Sequence, residues 1–278
     1  MIWLSIGKGD TFDLVLFPLV GGLAGYAWAA HKLSEAYRRM YKDQVLPQLA
    51  ARFGALGYRR PVGMDVATLR RRRLFDAFDA VVAEDEIHGE RHGLPISLVE
   101  LRLTHGSGKH KRTVFDGLMA EVGLPRNLSG VALVVPDGGA FGNLPGRFRL
   151  GGSERVRLED PRFEQRYEVY ATDQIAARAL LTPAFMERML ALGARSHFAP
   201  PTALAENNRL LLALPGASGK NLFEPPSWRK PAASRAALIE LSADVEAVLR
   251  TADAVIDLNH FARRAIPREV MTGARTPG

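Results

Sequence analysis

The sequence predicts an α+β protein: an N-terminal transmembrane helix, then an antiparallel β-sheet or partial barrel packed with helices, closed by a long C-terminal helix. Three observations carry this. An uncharged run, LVLFPLVGGLAGYAWAA (residues 14–30), lies near the N-terminus. From Glu86 to about Leu158 apolar and polar residues alternate between turn signals. A stretch from about Ser234 to Phe261 sets Leu238, Leu241, Val245, Val248 and Leu249 on one helical face.

The N-terminal run comes first. As a helix, residues 14–30 would span roughly 26 Å, slightly short of a ~30 Å hydrocarbon core. Phe12 and slight bilayer thinning supply the difference. Tyr26 and Trp28 sit near one end, where amphipathic rings favour the headgroup region. Gly21, Gly25 and Ala29 recur every fourth residue, a small-residue face suited to helix self-association. Two other readings compete. Ala27-Trp28-Ala29 has the form of a signal cleavage site, but Lys8 is offset by Asp10 and Asp13 in the preceding segment. A buried helix of a soluble domain is the third reading, which Pro18 and three glycines disfavour. Lys32, Arg38, Arg39 and Lys42 follow the run, so the positive-inside rule keeps the bulk of the chain in the cytoplasm.

The expected organisation is therefore an anchor (1–31), a juxtamembrane helix (32–60), a cytoplasmic α+β domain (61–265) and a tail (266–278). In the juxtamembrane segment Leu33, Tyr37, Met40 and Tyr41 keep helical spacing, Pro47 kinks or restarts the helix, and Gly54 and Gly57 end it. ISLVELRLTHG and RTVFDGLMAEVGL are expected to form a hairpin across GSGK, with GVALVVPD as a separate strand. A glycine-rich loop follows, then ERVRLEDPRF and RYEVYA extend the sheet to five or more strands. Thr172 or Asp173 caps one helix, and Thr182-Pro183 opens another that Gly193 closes. Thr202–Ala205 and Arg209–Leu214 read as a second hairpin turning at Glu206-Asn207-Asn208, and PGASGKNLFEPPSWRKPA as a surface loop.

Composition narrows function. The 278 residues contain no cysteine, which excludes disulfides, thiolate metal sites and cysteine nucleophiles. A net charge of +7 favours anionic partners, nucleic acid or the negative face of a membrane. Arg70, Arg71, Arg72 and Arg73 concentrate that charge. Their functional reading is contact with lipid headgroups; the plainer one is pairing with Asp65, Asp76 and Asp79. No aromatic interleaving accompanies them, so nucleic acid is not expected as a partner.

The most chemically suggestive stretch is AEDEIHGERHG (83–93). On a helix His88 and His92 would share a face, but the glutamate stands one position away from the H-E-x-x-H arrangement, and Gly89 and Gly93 oppose helix. On a strand the histidines lie ~13 Å apart, too far for one ion. No metal and no cofactor are therefore expected. Glu84, Asp85 and His88 could serve acid–base chemistry if folding shifts a pKa, but a structural strand entry is the simpler reading. Gly219-Lys220-Asn221 lacks the P-loop's upstream glycine and its Ser/Thr, and Gly216-Ala217-Ser218-Gly219 is not a nucleophile elbow.

Four stretches together resemble the bacterial domain-of-unknown-function family numbered 3137. They are Tyr41-Lys42 with VLPQLAARFGALGY; LFDAFDAVVAEDEIHG; VFDGLMAEV with GVALVVPD; and LEDPRFEQRYEVYATDQIAARALLTPAFMERML. The likeness covers about residues 37–214, with Tyr167 standing where the family usually has Phe. It implies a membrane-associated protein at the bacterial inner membrane, and it carries over no catalytic residue. The leading expectation is a membrane-anchored binding or scaffold protein that self-associates through its anchor and meets an unidentified protein partner. The alternative is a hydrolase-type enzyme using Glu84, Asp85 and His88, with Asp160 or Asp173 brought near by folding.

Overall fold

The computed structural model describes residues 10–60, 69–70, 74–137, 152–217, 221–226 and 231–256, with side chains from Leu23 in the first segment and from Arg235 in the last. Element order is α1 (Asp10–Met40), a π-turn (Tyr41–Val45), α2 (Leu46–Ala51), β1 (Leu56–Arg59), β2 (Ala80–Arg91), β3 (Leu94–His105), β4 (Arg112–Pro136), β5 (Glu154–Arg155), α3 (Pro161–Glu164), β6 (Tyr167–Ala171), α4 (Gln174–Leu180), α5 (Pro183–Gly193), β7 (Thr202–Pro215) and α6 (Pro231–Ile256). The α+β class holds, and among the described residues the sheet has seven strands, antiparallel throughout.

The sheet runs β1-β2-β3-β4-β6-β5, and β7 pairs with β4. The expected β3–β4 hairpin forms, with Leu98 opposite Ala120 and Arg102 opposite Asp116. RTVFDGLMAEVGL and GVALVVP are not separate strands, however: they join into one 25-residue strand, β4. Likewise Thr202–Ala205 and Arg209–Leu214 do not turn back on each other but form the single strand β7. The two turn-like segments, PRNLSG and ENN, lie opposite one another, with Leu128 paired to Asn207 and register shifts on both sides. Asn207 (φ 55°) and Gly130 (φ 80°) take the left-handed conformations that read as turns in sequence. Bulging together, they let two long strands bend without parting. β3 and then β6 take the other edge of β4.

Period-2 alternation divides the strands between two cores. Leu118, Ala120 and Val122 of β4 and Leu210, Leu212 and Leu214 of β7 face the larger one. There they meet α6 through Leu241, Val245, Val248 and Leu249, and α5 through Phe185, Met186 and Met189. Phe115, Met119, Leu211 and Ala213 point the other way, beneath Leu74, Phe75 and Phe78. Burial on both faces explains why β4 and β7 read as nearly continuous apolar runs.

The helix signals are confirmed locally. Asp173 caps α4 by accepting the Ile175 and Ala176 amides, and Thr182 caps α5 with Pro183 in its first turn. Pro47 restarts a helix rather than kinking one: α1 loosens into the π-turn and α2 begins at Leu46. PGASGKNLFEPPSWRKPA is not wholly a surface loop, because Phe223 within it is fully buried. Among the described residues no helix is long and apolar enough to cross a membrane. Side chains 14–22 of the apolar run lie outside the described residues, and Leu23 to Ala29 are exposed throughout, so this part is not a buried helix of the domain.

A buried ion cluster and the cleft beside it

Two local irregularities build the candidate site. Between Ala83 and Glu86, β2 carries one residue more than its partner, since Ala83 pairs with Leu101 but Glu86 with Val99. This bulge shifts the alternation: Val81 and Ala83 pack on the smaller core, whereas Ile87 belongs to the larger one. Asp85, at the bulge, is fully buried. The second irregularity is the π-turn, a wider winding common at functional sites, which buries Tyr41 and Lys42.

The Lys42 ammonium lies 2.6 Å from Asp85 Oδ2, 2.8 Å from Glu224 Oε1 and 3.8 Å from Glu84 Oε2. Tyr58 donates its hydroxyl to Asp85 Oδ1, and Arg38 Nε pairs with Glu224 Oε2 at 2.7 Å. Burial pulls the Lys42 ammonium towards neutrality, but the hydrogen bonds of Asp85 and Glu224 outweigh it and hold the pKa above the ordinary lysine value. Glu224 is likewise disfavoured by burial yet kept below the usual carboxylate range by Arg38 and Lys42. Burial and the bond to Asp85 push the Tyr58 hydroxyl upward. The cluster is thus charged and internally paired. Glu84, Asp85 and Glu224 are also the described grouping with cation-ligand geometry, each offering an oxygen within 4.8 Å of the others. The Lys42 ammonium already stands among those oxygens, where it supplies positive charge to all three carboxylates.

Beside it opens a cleft of about 580 Å³ between β3 and β4, the 221–226 loop and α6. On its floor is Glu100 of β3, 5 % exposed, opposite Leu118 of β4. One carboxyl oxygen accepts the Leu222 amide, and the other is buried with no hydrogen-bond partner. Burial, with Asp85 close by, pushes this carboxyl up to about 8 against the pull of the Leu222 and Phe223 amides and of Lys42, which favours the protonated form at neutral pH. At the far side, His197 Nδ1 lies 2.5 Å from the fully buried Asp244, which also pairs with Arg195. His197 Nε2 lies 3.6 Å from Glu240.

The residues singled out in sequence part company here. Glu84 and Asp85 join the cluster, but His88 is on β2 past the bulge, packed beside Gly57 of β1. His92 sits in the β2–β3 turn at φ 53° and reaches Asp253 of α6 at 3.2 Å, alongside a two-armed Arg91–Asp253 bridge. The histidines therefore serve different partners, and the strand reading of this stretch is the right one up to Arg91. Asp160 and Asp173 accept helix-start amides from Arg162, Phe163, Ile175 and Ala176, so the carboxylate–histidine constellation of the hydrolase reading does not assemble. Arg70 donates to the Phe78 and Asp79 carbonyls and lies 5.2 Å over the Phe78 ring. Of the carboxylates expected to pair with the run, Asp76 lies 3.6 Å from Arg112, and Asp79 meets His105 while also lying within the electrostatic reach of Arg70. Arg71, Arg72, Arg73 and Asp65 lie outside the described residues.

Lys42, Tyr58, Glu100 and Glu224 were not legible as site residues. A signal existed for Glu100: it keeps phase with Ile96 and Leu98, on the buried face of β3.

An α+β domain with a large antiparallel sheet, a buried ion cluster and an adjoining cleft defines the class. The chain belongs to the family described as "Protein of unknown function (DUF3137)", whose family model matches residues 113–256. The match overlaps the stretch carrying the sequence resemblance but extends into α6. Tyr167 is buried against Phe163 and donates its hydroxyl to Met189 O at 3.3 Å, so the buried hydroxyl has a partner. No curated protein matches the chain. A solved structure, the mycobacterial trehalose monomycolate transport factor A, TtfA, is similar at 13 % identity over 76 % of this chain and 97 % of that one, with a TM-score of 0.38. At that score neither its fold nor its role passes to this chain.

Proposed function

We propose that this chain is a membrane-anchored binding or scaffold protein, its α+β domain held at the cytoplasmic face of the bacterial inner membrane by a single N-terminal span. The observation that carries the proposal is the division of α1. Leu23, Tyr26 and Trp28 are 61 %, 65 % and 66 % exposed, while the chain winds on without a break into Tyr41 and Lys42 in the core. Large apolar side chains held out on a helix fixed to a domain suit an apolar medium, and the ring types suit its interface. A Cβ at Gly25 would meet nothing within 4 Å, which leaves room for a second anchor along the Gly21, Gly25 and Ala29 face.

In the same reading Arg70 to Arg73 contact anionic headgroups, each basic residue near the surface adding about 1 kcal/mol. Vesicle flotation of the full chain tests both parts. Leu23→Asp combined with Trp28→Asp is expected to cut recovery with the vesicles several-fold. Glutamine at Arg70 to Arg73 is expected to leave attachment intact but remove any preference for anionic over neutral lipid. Unchanged flotation of the first variant counts against the anchor, and an unchanged preference in the second counts against the lipid contact.

A further inference from the structure

The protein carries a net charge of +7, yet among the described residues the lining of the Glu100 cleft holds three carboxyl groups, Glu100, Glu224 and Glu240, with no lysine or arginine. Among the described residues the nearest cations are already engaged. Lys42 and Arg38 face Glu84, Asp85 and Glu224, two positive charges against three negative. Arg102 pairs with Asp116 and Arg195 with Asp244. An anion entering the cleft would find no unpaired positive charge among the described residues. Tyr41, His197 and Asn221 also line it, and the remaining side chains are apolar, including Leu118, Phe198, Pro225 and Leu241.

Glu100 is the feature that points to a ligand. It is 95 % buried by its 5 % exposure, it lines the cleft, and one carboxyl oxygen has no partner among the described residues. An orphaned buried polar atom has lost its water without gaining a partner, a cost that a bound donor would relieve. A group of this volume and lining, largely apolar with a few convergent polar atoms, has the form of a small-molecule site.

We propose that this cleft binds a small organic cation, an ammonium group on an apolar body, with the ammonium donating to Glu100 and drawn by Glu240. Neutral Glu100 would give up its proton to solvent as the ammonium arrives, because a cation at hydrogen-bond distance favours the carboxylate. Lys42, Tyr41, Asp85, Glu224, His197 and Glu240 are the other titratable groups around it, so the source of the proton has to be assigned by substitution.

The test is calorimetry on the full chain in non-ionic detergent with 2-phenylethylammonium, compared with 2-phenylethanol and 3-phenylpropanoate. The ammonium is expected to bind about tenfold more tightly than the alcohol, the worth of one charge-assisted hydrogen bond, with no binding of the carboxylate. Titrations in buffers of different ionisation enthalpy should show a proton released at neutral pH. Glu100→Gln should abolish both the tenfold preference and the release, and its residual heat measures partition into detergent. Glu240→Gln, on an exposed side chain, should weaken binding about threefold with the melting temperature unchanged, which keeps the test open if the first variant does not fold. Alcohol and ammonium binding equally, or ammonium binding that survives Glu100→Gln with its proton release intact, would overturn the proposal.

Discussion

Lys42→Met is expected to lower the unfolding free energy by about 3–5 kcal/mol, the cost of leaving a buried ion-pair partner unpaired. Asp85 is fully buried and has two described partners, Lys42 and the Tyr58 hydroxyl. Methionine fills the volume of the lysine stem, so the loss would report charge and not packing. Tyr58 alone cannot neutralise the carboxylate, because burial and that bond hold its hydroxyl protonated. Glu224 keeps Arg38 and is affected less. Combining Lys42→Met with Asp85→Leu should recover most of the loss, since a matched apolar pair removes both desolvation costs. Denaturant unfolding of the three chains, followed by circular dichroism, checks the cycle. A loss below about 1 kcal/mol for Lys42→Met, the range of an exposed pair, would show that the cluster is solvated.

Gly89→Ala is the second substitution with a large expected effect, about 2–4 kcal/mol of destabilisation. Gly89 stands opposite Leu56 in the β1–β2 pairing, with φ 154°. A Cβ there would lie 2.1 Å from the Ala55 carbonyl oxygen, which is backbone and cannot swing aside. That carbonyl also accepts the Glu90 amide, so pushing the strands apart breaks a hydrogen bond as well. The strain falls one strand away from Tyr58 and therefore loosens the ion cluster. Gly93→Ala is the control: its φ is 75°, but a Cβ there meets nothing within 4 Å. It should cost only the left-handed backbone penalty, about 1 kcal/mol. Equal losses at the two glycines would show that contact with Ala55 does not matter.

What could be read from the residues alone was local and periodic. Helix starts at Asp173 and Thr182 were legible because a capping oxygen and a following proline act within one turn. The strand pattern around Val99 to Leu103 was legible for the same reason. PRNLSG and ENN misled because a paired bulge uses the same left-handed residues as a turn, and only the partner strand distinguishes them. The site was hidden more deeply. One extra residue in β2 turned Asp85 inward, and the π-turn set Lys42 against it from 43 positions away. Glu224 arrived from a loop that composition marks as surface. Such long-range pairing leaves no trace in spacing along the chain.

The central claim is that residues preceding the domain hold it to the membrane, and fractionation of cells expressing the intact chain or a chain lacking residues 1–31 tests it most directly. The shortened chain keeps Arg38, Lys42 and the whole ion cluster. The intact chain is expected in the membrane pellet and resistant to salt washing, with the shortened chain in the supernatant. Equal recovery of both in the supernatant would contradict the account.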